Sequence, residues 1–448
     1  MKWIVGLIGA LVVIVLLWHW DFAKPVVQWE EPSALGRNFE ISMDVADEGR
    51  GIRNIQVFLR QAEKSTLVFS KEYGAAPPWK KGPANDQILV SASSFGEEVS
   101  LVEGSLDVVV EVTDQPNLWF FGRKAVNVRT IPYDATPPRV ATLTGQHYLR
   151  QGGSEAVLYR VLEDGARSGV QVGNRSFQGY RIQGQDYLCL FALAYDQPPD
   201  TPIHIWAEDI AGNRTESRFQ HKTFSRTFRT SRIGLSDRLI DAVVRDILLN
   251  NTNVAEKETP LDTFLDINGR FREVTNRRLE ELTSASADRL LWDQPFLQLS
   301  NSKVESRFAD HRIYVYDGKE VDRQTHLGFD LASVAQSPIE ASNGGTVIYA
   351  DSLGIYGNTV VLDHGLGLFS LYGHLSSFEV DEGQSVSRGD TVGATGQTGL
   401  AAGDHLHFSM ILGNVQVTPL EWWDPKWVEE HVLSKWRTES SHTPGTSN

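Results

Sequence analysis

Five side chains between Thr325 and Phe408 could do chemistry together: His326, Asp330, His374, His405 and His407. They sit in three segments, Thr325-His326-Leu327-Gly328-Phe329-Asp330, Leu371-Tyr372-Gly373-His374-Leu375-Ser376 and Asp404-His405-Leu406-His407-Phe408. Imidazole and carboxylate are ligands that zinc favours, and a hydrolytic zinc site keeps one position open for water. Five candidates are enough for three ligands and helpers that move protons.

The elements that must hold these groups read as strands with glycine-rich turns. Gly345 to Ala350, Asn358 to Asp363 and Leu368 to Tyr372 are rich in β-branched or aromatic residues. On a strand, residues two apart share a face, so His405 and His407 reach one cleft while Leu406 and Phe408 bury behind it. His326 and Asp330 are four apart, a helical spacing, but Gly328 and Phe329 between them favour a strand running into a loop.

Several motifs occur together in order. They are Ser306-Arg307-Phe308 with Arg312, His326-x-x-x-Asp330, Asp363-His364-Gly365, Tyr372-Gly373-His374-Leu375, Gly389-Asp390 with Gly393, Gly396-x-x-Gly399 and His405-Leu406-His407-Phe408. The set resembles the lysostaphin/LytM-type zinc endopeptidases, which cleave peptidoglycan peptides. The resemblance implies an antiparallel-β peptidase domain over residues 302–425 with one zinc ion, held by His326, Asp330 and His407. It further implies that His374 and His405 act as base or stabilise the oxyanion, without assigning one role to each. Pentaglycine bridges, D-Ala–diaminopimelate cross-links and other glycine-containing peptides are all open as substrates, with a lean to a Gram-negative cross-link.

Other residues there have plainer readings. His364 is expected to be structural at a strand-end turn, His311 and His19 solvent-facing or interfacial, and Tyr372 part of the cleft wall. The competing function is a metal-free adaptor that binds wall or activates an amidase. A lipoyl- or biotinyl-type carrier, suggested by the spaced valines and glycines from Val380 to Gly393, fails because no lysine lies between Lys319 and Lys426.

The rest of the chain reads as a mainly β multidomain protein. Residues 26–133 and 139–221 look like tandem Ig-like β-sandwich modules, with Val45 to Ile52 echoed by Val161 to Val170 and Val112 to Asn117 by Ala207 to Asn213. They would serve as a stalk, or bind the wall or a divisome-type partner protein. Residues 231–300 switch to helical periodicity. Ser236 caps a stripe of Leu239, Ile240, Val243, Val244, Ile247 and Leu248, and a second stretch from Pro260 to Thr283 is interrupted by Gly269. This helical segment is expected to restrain the cleft. Residues 426–448 read as a short helix and a disordered tail.

Residues 1–22 read as an uncleaved transmembrane anchor. Trp3 to Trp18 is uncharged and apolar, Trp3, Trp18 and Trp20 suit the interfaces, and the flanking charges keep the amino terminus in the cytoplasm. A signal peptide is the alternative, but Trp-His-Trp-Asp-Phe is a poor cleavage context. The remainder would be extracytoplasmic, at the inner membrane. The net charge of −15 argues against nucleic acid as a partner. Cys189, the one cysteine, lies in an apolar stretch and is expected to be buried without a disulfide.

Overall fold

The computed structural model describes residues 23–77, 80–96, 99–116 and 122–440. The anchor expected over residues 1–22, with His19, lies outside the described residues, as does the tail beyond 440. No helix among the described residues is long and apolar enough to cross a membrane. The chain divides into two compact units, one running to Pro138 with the loop Glu208–Thr215, the other comprising Arg139–Ala207 and the rest from Glu216.

In the first unit, alternation sets the packing. Ile41, Met43 and Val45 of Glu40–Ala46 are buried while Glu40, Ser42 and Asp44 are exposed, so one face of a three-stranded sheet turns inward. Val57, Val108 and Val110 of a four-stranded antiparallel sheet join the same core. Asn213 ties the inserted loop down, accepting from the Arg37 N–H and donating to the Asp134 carbonyl.

The second unit departs from the sequence expectation of a discrete second sandwich. Residues 139–207 form two four-stranded sheets with their neighbours, yet their buried side chains do not close on themselves. Tyr159, Phe177 and Leu188 belong to one continuous core with Phe329, Leu362 and Phe408. A Cβ on Gly413 would lie 2.9 Å from the Phe177 ring. Alternation shows that a strand has a buried face, but not which sheet covers it. Cys189 is buried there as a free thiol.

Five strands frame the site: β1 (Lys319–His326), β2 (Phe329–Ala332), β3 (Gly345–Ser352), β4 (Asn358–Asp363) and β5 (Leu368–Gly373). A sixth, β6 (Leu406–Leu412), is central. The order β2-β6-β5-β4-β3 is antiparallel throughout, whereas β1 belongs to a smaller sheet with Asp310–Tyr316 and Thr230–Gly234. Along β6, Leu406, Phe408, Met410 and Leu412 enter the first core, and Ile411 enters a second. His407 and Ser409 therefore stand on the Ile411 face.

That face is covered by helices. Ser236 Oγ accepts from the Leu239 N–H and starts α1 (Asp237–Asn250). Thr259 caps α2 (Pro260–Asp266), and a single π turn containing Gly269 leads into α3 (Arg272–Leu282). Their buried residues Val243, Ile247, Phe264, Phe271 and Leu279 share a core with Val361, Phe369, Leu371 and Ile411. Each such side chain contributes about 1.5–3 kcal/mol on burial, so the arm is part of the folded unit. Trp292, Phe296 and Leu299, upstream of residue 302, enter the core on the other side of the sheet.

Candidate metal centre

Register brings the five residues to one place. β2 and β6 pair so that Asp330 stands opposite His407, and β5 pairs on the other flank with Gly373 opposite His407. His326 ends β1, and a two-residue turn places Asp330 beside it. Gly328 in that turn cannot be another residue without movement, since a Cβ there would lie 2.6 Å from the His407 ring and from Ser409 Oγ. His374 follows Gly373 with φ +65°, left-handed backbone for a buried non-glycine residue. Such a conformation costs roughly 1–2 kcal/mol, and it turns the imidazole into the cleft as the chain leaves the sheet. His405 immediately precedes β6, bridged to Gly396.

Three donor atoms converge. His326 Nε2 lies 3.0 Å from His407 Nδ1 and 2.9 Å from Asp330 Oδ1, and Asp330 Oδ1 lies 3.1 Å from His407 Nδ1. A tetrahedral zinc shell with bonds of about 2.0–2.1 Å spaces its ligand atoms by about 3.3 Å, so the triangle fits. His326, Asp330 and His407 are all buried.

The surrounding hydrogen bonds settle which nitrogens carry protons. His326 Nδ1 lies 3.1 Å from the Arg307 carbonyl, which can only accept, so Nδ1 is the donor. Ser409 Oγ donates to the Leu327 carbonyl (2.7 Å) and sits 3.0 Å from His407 Nε2, so it receives the Nε2–H. Both inward nitrogens therefore present lone pairs. Arg312 Nη2 donates to Asp330 Oδ2 at 2.6 Å, leaving Oδ1 to the cluster. Three lone-pair donors then face one another at about 3 Å with no proton between them, an arrangement that calls for a cation.

The two other imidazoles are set in the same manner. His374 Nδ1 donates to the Thr398 carbonyl (2.7 Å), and His405 Nδ1 to the Gly403 carbonyl (2.7 Å). Their ring centroids lie 4.9 Å apart, and His405 Nε2 is 3.5 Å from Asp330 Oδ1. Burial lowers the pKa of His326, pushes His407 down to about 4, and takes His374 well below the usual range, helped by the neighbouring His405 and His407. These three are neutral near pH 7, the form that ligates metal or accepts a proton. Burial disfavours the His405 cation too, but Asp330 outweighs it and raises this pKa. Burial alone would raise the Asp330 carboxyl; His326, His405 and His407 hold it well below the ordinary carboxylate range.

Other sequence readings fare differently. His364 is fully buried, bonded to the Gly344 carbonyl and to Ser370. Tyr372 is not a cleft wall: it pairs with Phe408, packs edge-on to it within the first core, and its hydroxyl receives the Ser342 N–H. His311 is half-buried, with its ring edge-on to Phe228. Arg307 lies in a motif read from the sequence, but the part its carbonyl plays, and the partners Thr398, Gly403 and Ser409, were not named from it. Ser409 alone carried a signal, two residues from His407 on the same strand face.

Residues 324–419 match Peptidase family M23. Over 95 residues, 21% of this chain, it is 37% identical to the DD-carboxypeptidase/endopeptidase Mpg of Neisseria meningitidis serogroup B, covering 22% of that protein. Over 113 residues, 25% of this chain, it is 34% identical to the peptidoglycan DD-endopeptidase ShyA of Vibrio cholerae, covering 26% of that protein. The chain thus spans about a quarter or less of these curated relatives. A crystal structure from Pseudomonas aeruginosa, provisionally described as a peptidase M23, is 22% identical, with 61% of this chain and 94% of that one covered and a TM-score of 0.39. The segment that matches this family, residues 324–419, holds all five site residues.

Proposed function

We propose that this protein is a zinc-dependent endopeptidase that hydrolyses peptide cross-links or stem peptides of bacterial peptidoglycan. The observation that carries it is the convergence of His326 Nε2, Asp330 Oδ1 and His407 Nδ1 with their lone pairs inward, inside the family-matched segment. These three atoms would hold zinc, which when bound supplies an acidified water and a Lewis acid for the scissile carbonyl. His374 and His405, each anchored through Nδ1, present Nε2 to the cleft. There one can take the proton of the attacking water and the other can donate to the developing oxyanion or leaving amine. Arg312 holds Asp330 in place, and burial excludes bulk water from the cluster.

The apolar run at residues 3–18 supports an extracytoplasmic placement at the inner membrane, where a wall substrate is available. The first β unit is proposed as the part that approaches the wall or a partner protein. The purified protein should solubilise isolated sacculi, stop on chelation and resume with zinc. Zinc-loaded protein that leaves sacculi intact would defeat this reading.

A further inference from the structure

The helical arm shapes the cleft as well as stabilising the fold. A cavity of about 200 Å³ is lined by the five site residues and by Leu239 and Val243 of α1, Phe264 of α2 and Arg272 of α3. Ligand pockets are commonly about 300–1,000 Å³, so this one has little room for a peptide that continues past the cluster on both sides. Leu239, Val243 and Phe264 of the arm line and narrow it, which suits the end of a chain.

Arg272 has the chemistry that a chain end requires. Its Nε donates to the Asn268 carbonyl (3.0 Å) and its Nη2 to Asn268 Oδ1 (2.5 Å), while Asn268 Nδ2 donates to Asp322 Oδ2 (2.7 Å). The guanidinium is thus oriented through a neutral amide. Among the described residues it has no carboxylate partner within ion-pair distance, unlike Arg312, which is engaged by Asp330. A half-buried cation with fixed donors and no counter-ion is poised for an anion. Resting on the peptidase reading above, we propose that Arg272 binds the free C-terminal carboxylate of a short peptide on the leaving-group side of the scissile bond. The site then selects substrates whose chain ends close beyond the cleaved bond. Hydrolysis leaves that carboxylate untouched: water oxygen adds to the carbonyl, the C–N bond breaks, and the amine departs with a proton.

The test uses two synthetic stem peptides of one sequence, ending in a free carboxylate or an amide. Wild type should prefer the acid. R272Q should raise KM for the acid about 10- to 100-fold, the loss of a charge-assisted hydrogen bond, with kcat little changed and the amide unaffected; R272K should recover part of the preference. Equal cleavage of acid and amide by wild type, or equal losses on both in R272Q, would overturn the proposal. So would a several-fold rise on both peptides in D246A, which removes the carboxylate that now accepts the Gly399 N–H (2.5 Å) and ties down α1, because the arm would then be a plug. Calorimetry separates this from the parent reading. If neither peptide is cleaved but wild type still binds the acid more tightly than R272Q does, the peptidase reading falls and the carboxylate site stands.

Discussion

Ser409 Oγ accepts the Nε2–H of His407 while giving its own proton to the Leu327 carbonyl, so a serine two residues along the strand decides which nitrogen of His407 faces the cluster. Removing the hydroxyl releases the ring to flip or change tautomer. Ser409→Ala should keep the fold and weaken zinc binding about 10- to 100-fold, as read by competition with a chromophoric chelator. Unchanged affinity would show that the ring is held by packing alone.

Gly328 tests the same ring from the other side. A methyl group at this position would lie 2.6 Å from His407 and Ser409, and overpacking of this kind typically costs about 1–3 kcal/mol. Gly328→Ala should lower the melting temperature and reduce zinc occupancy, both measurable on one sample by thermal unfolding and metal analysis.

Ligands and helpers should separate cleanly. His326→Ala, Asp330→Ala and His407→Ala should each lose bound zinc. His374→Ala and His405→Ala should retain it while losing about 10²- to 10⁴-fold in kcat. Zinc lost from His374→Ala as fully as from His407→Ala would force a different ligand set.

His364 makes a prediction about acid stability. Burial pushes its pKa down to about 4 from 6.5, so the folded state refuses a proton that the unfolded chain accepts. Stability is intact above pH 6.5 and is lost as pH falls through the window to about 4, by roughly 3 kcal/mol in total. His364→Gln should be less stable at pH 7, having lost contact with Phe296, yet show a flatter decline between pH 6.5 and 4. An equally steep decline would place the acid sensitivity elsewhere.

The legible parts of the site were those set by short-range periodicity. His405 and His407 share a cleft because strand alternation requires it, and Gly328 made a turn more credible than a helix between His326 and Asp330. The same alternation could have placed Tyr372 on the buried side, since it pairs with Phe408 and not with His407. Long-range packing was not legible. Nothing local in Tyr159 or Phe177 says that their faces meet the sheet that carries the site, and the stripe of α1 does not name Ile411 and Phe369 as its floor. Arg272 lay outside any apolar stripe, and only the fold brings it to the cavity.

Mass spectrometry of purified cross-linked muropeptides tests most directly the proposal that the converging His326, Asp330 and His407 serve a metal-dependent wall peptidase, with wild type assayed as purified, after chelation, and after zinc is restored. The expected result is conversion of dimers to monomers with one peptide bond hydrolysed, lost on chelation and regained with zinc. Intact dimers in the presence of stoichiometrically bound zinc would contradict it.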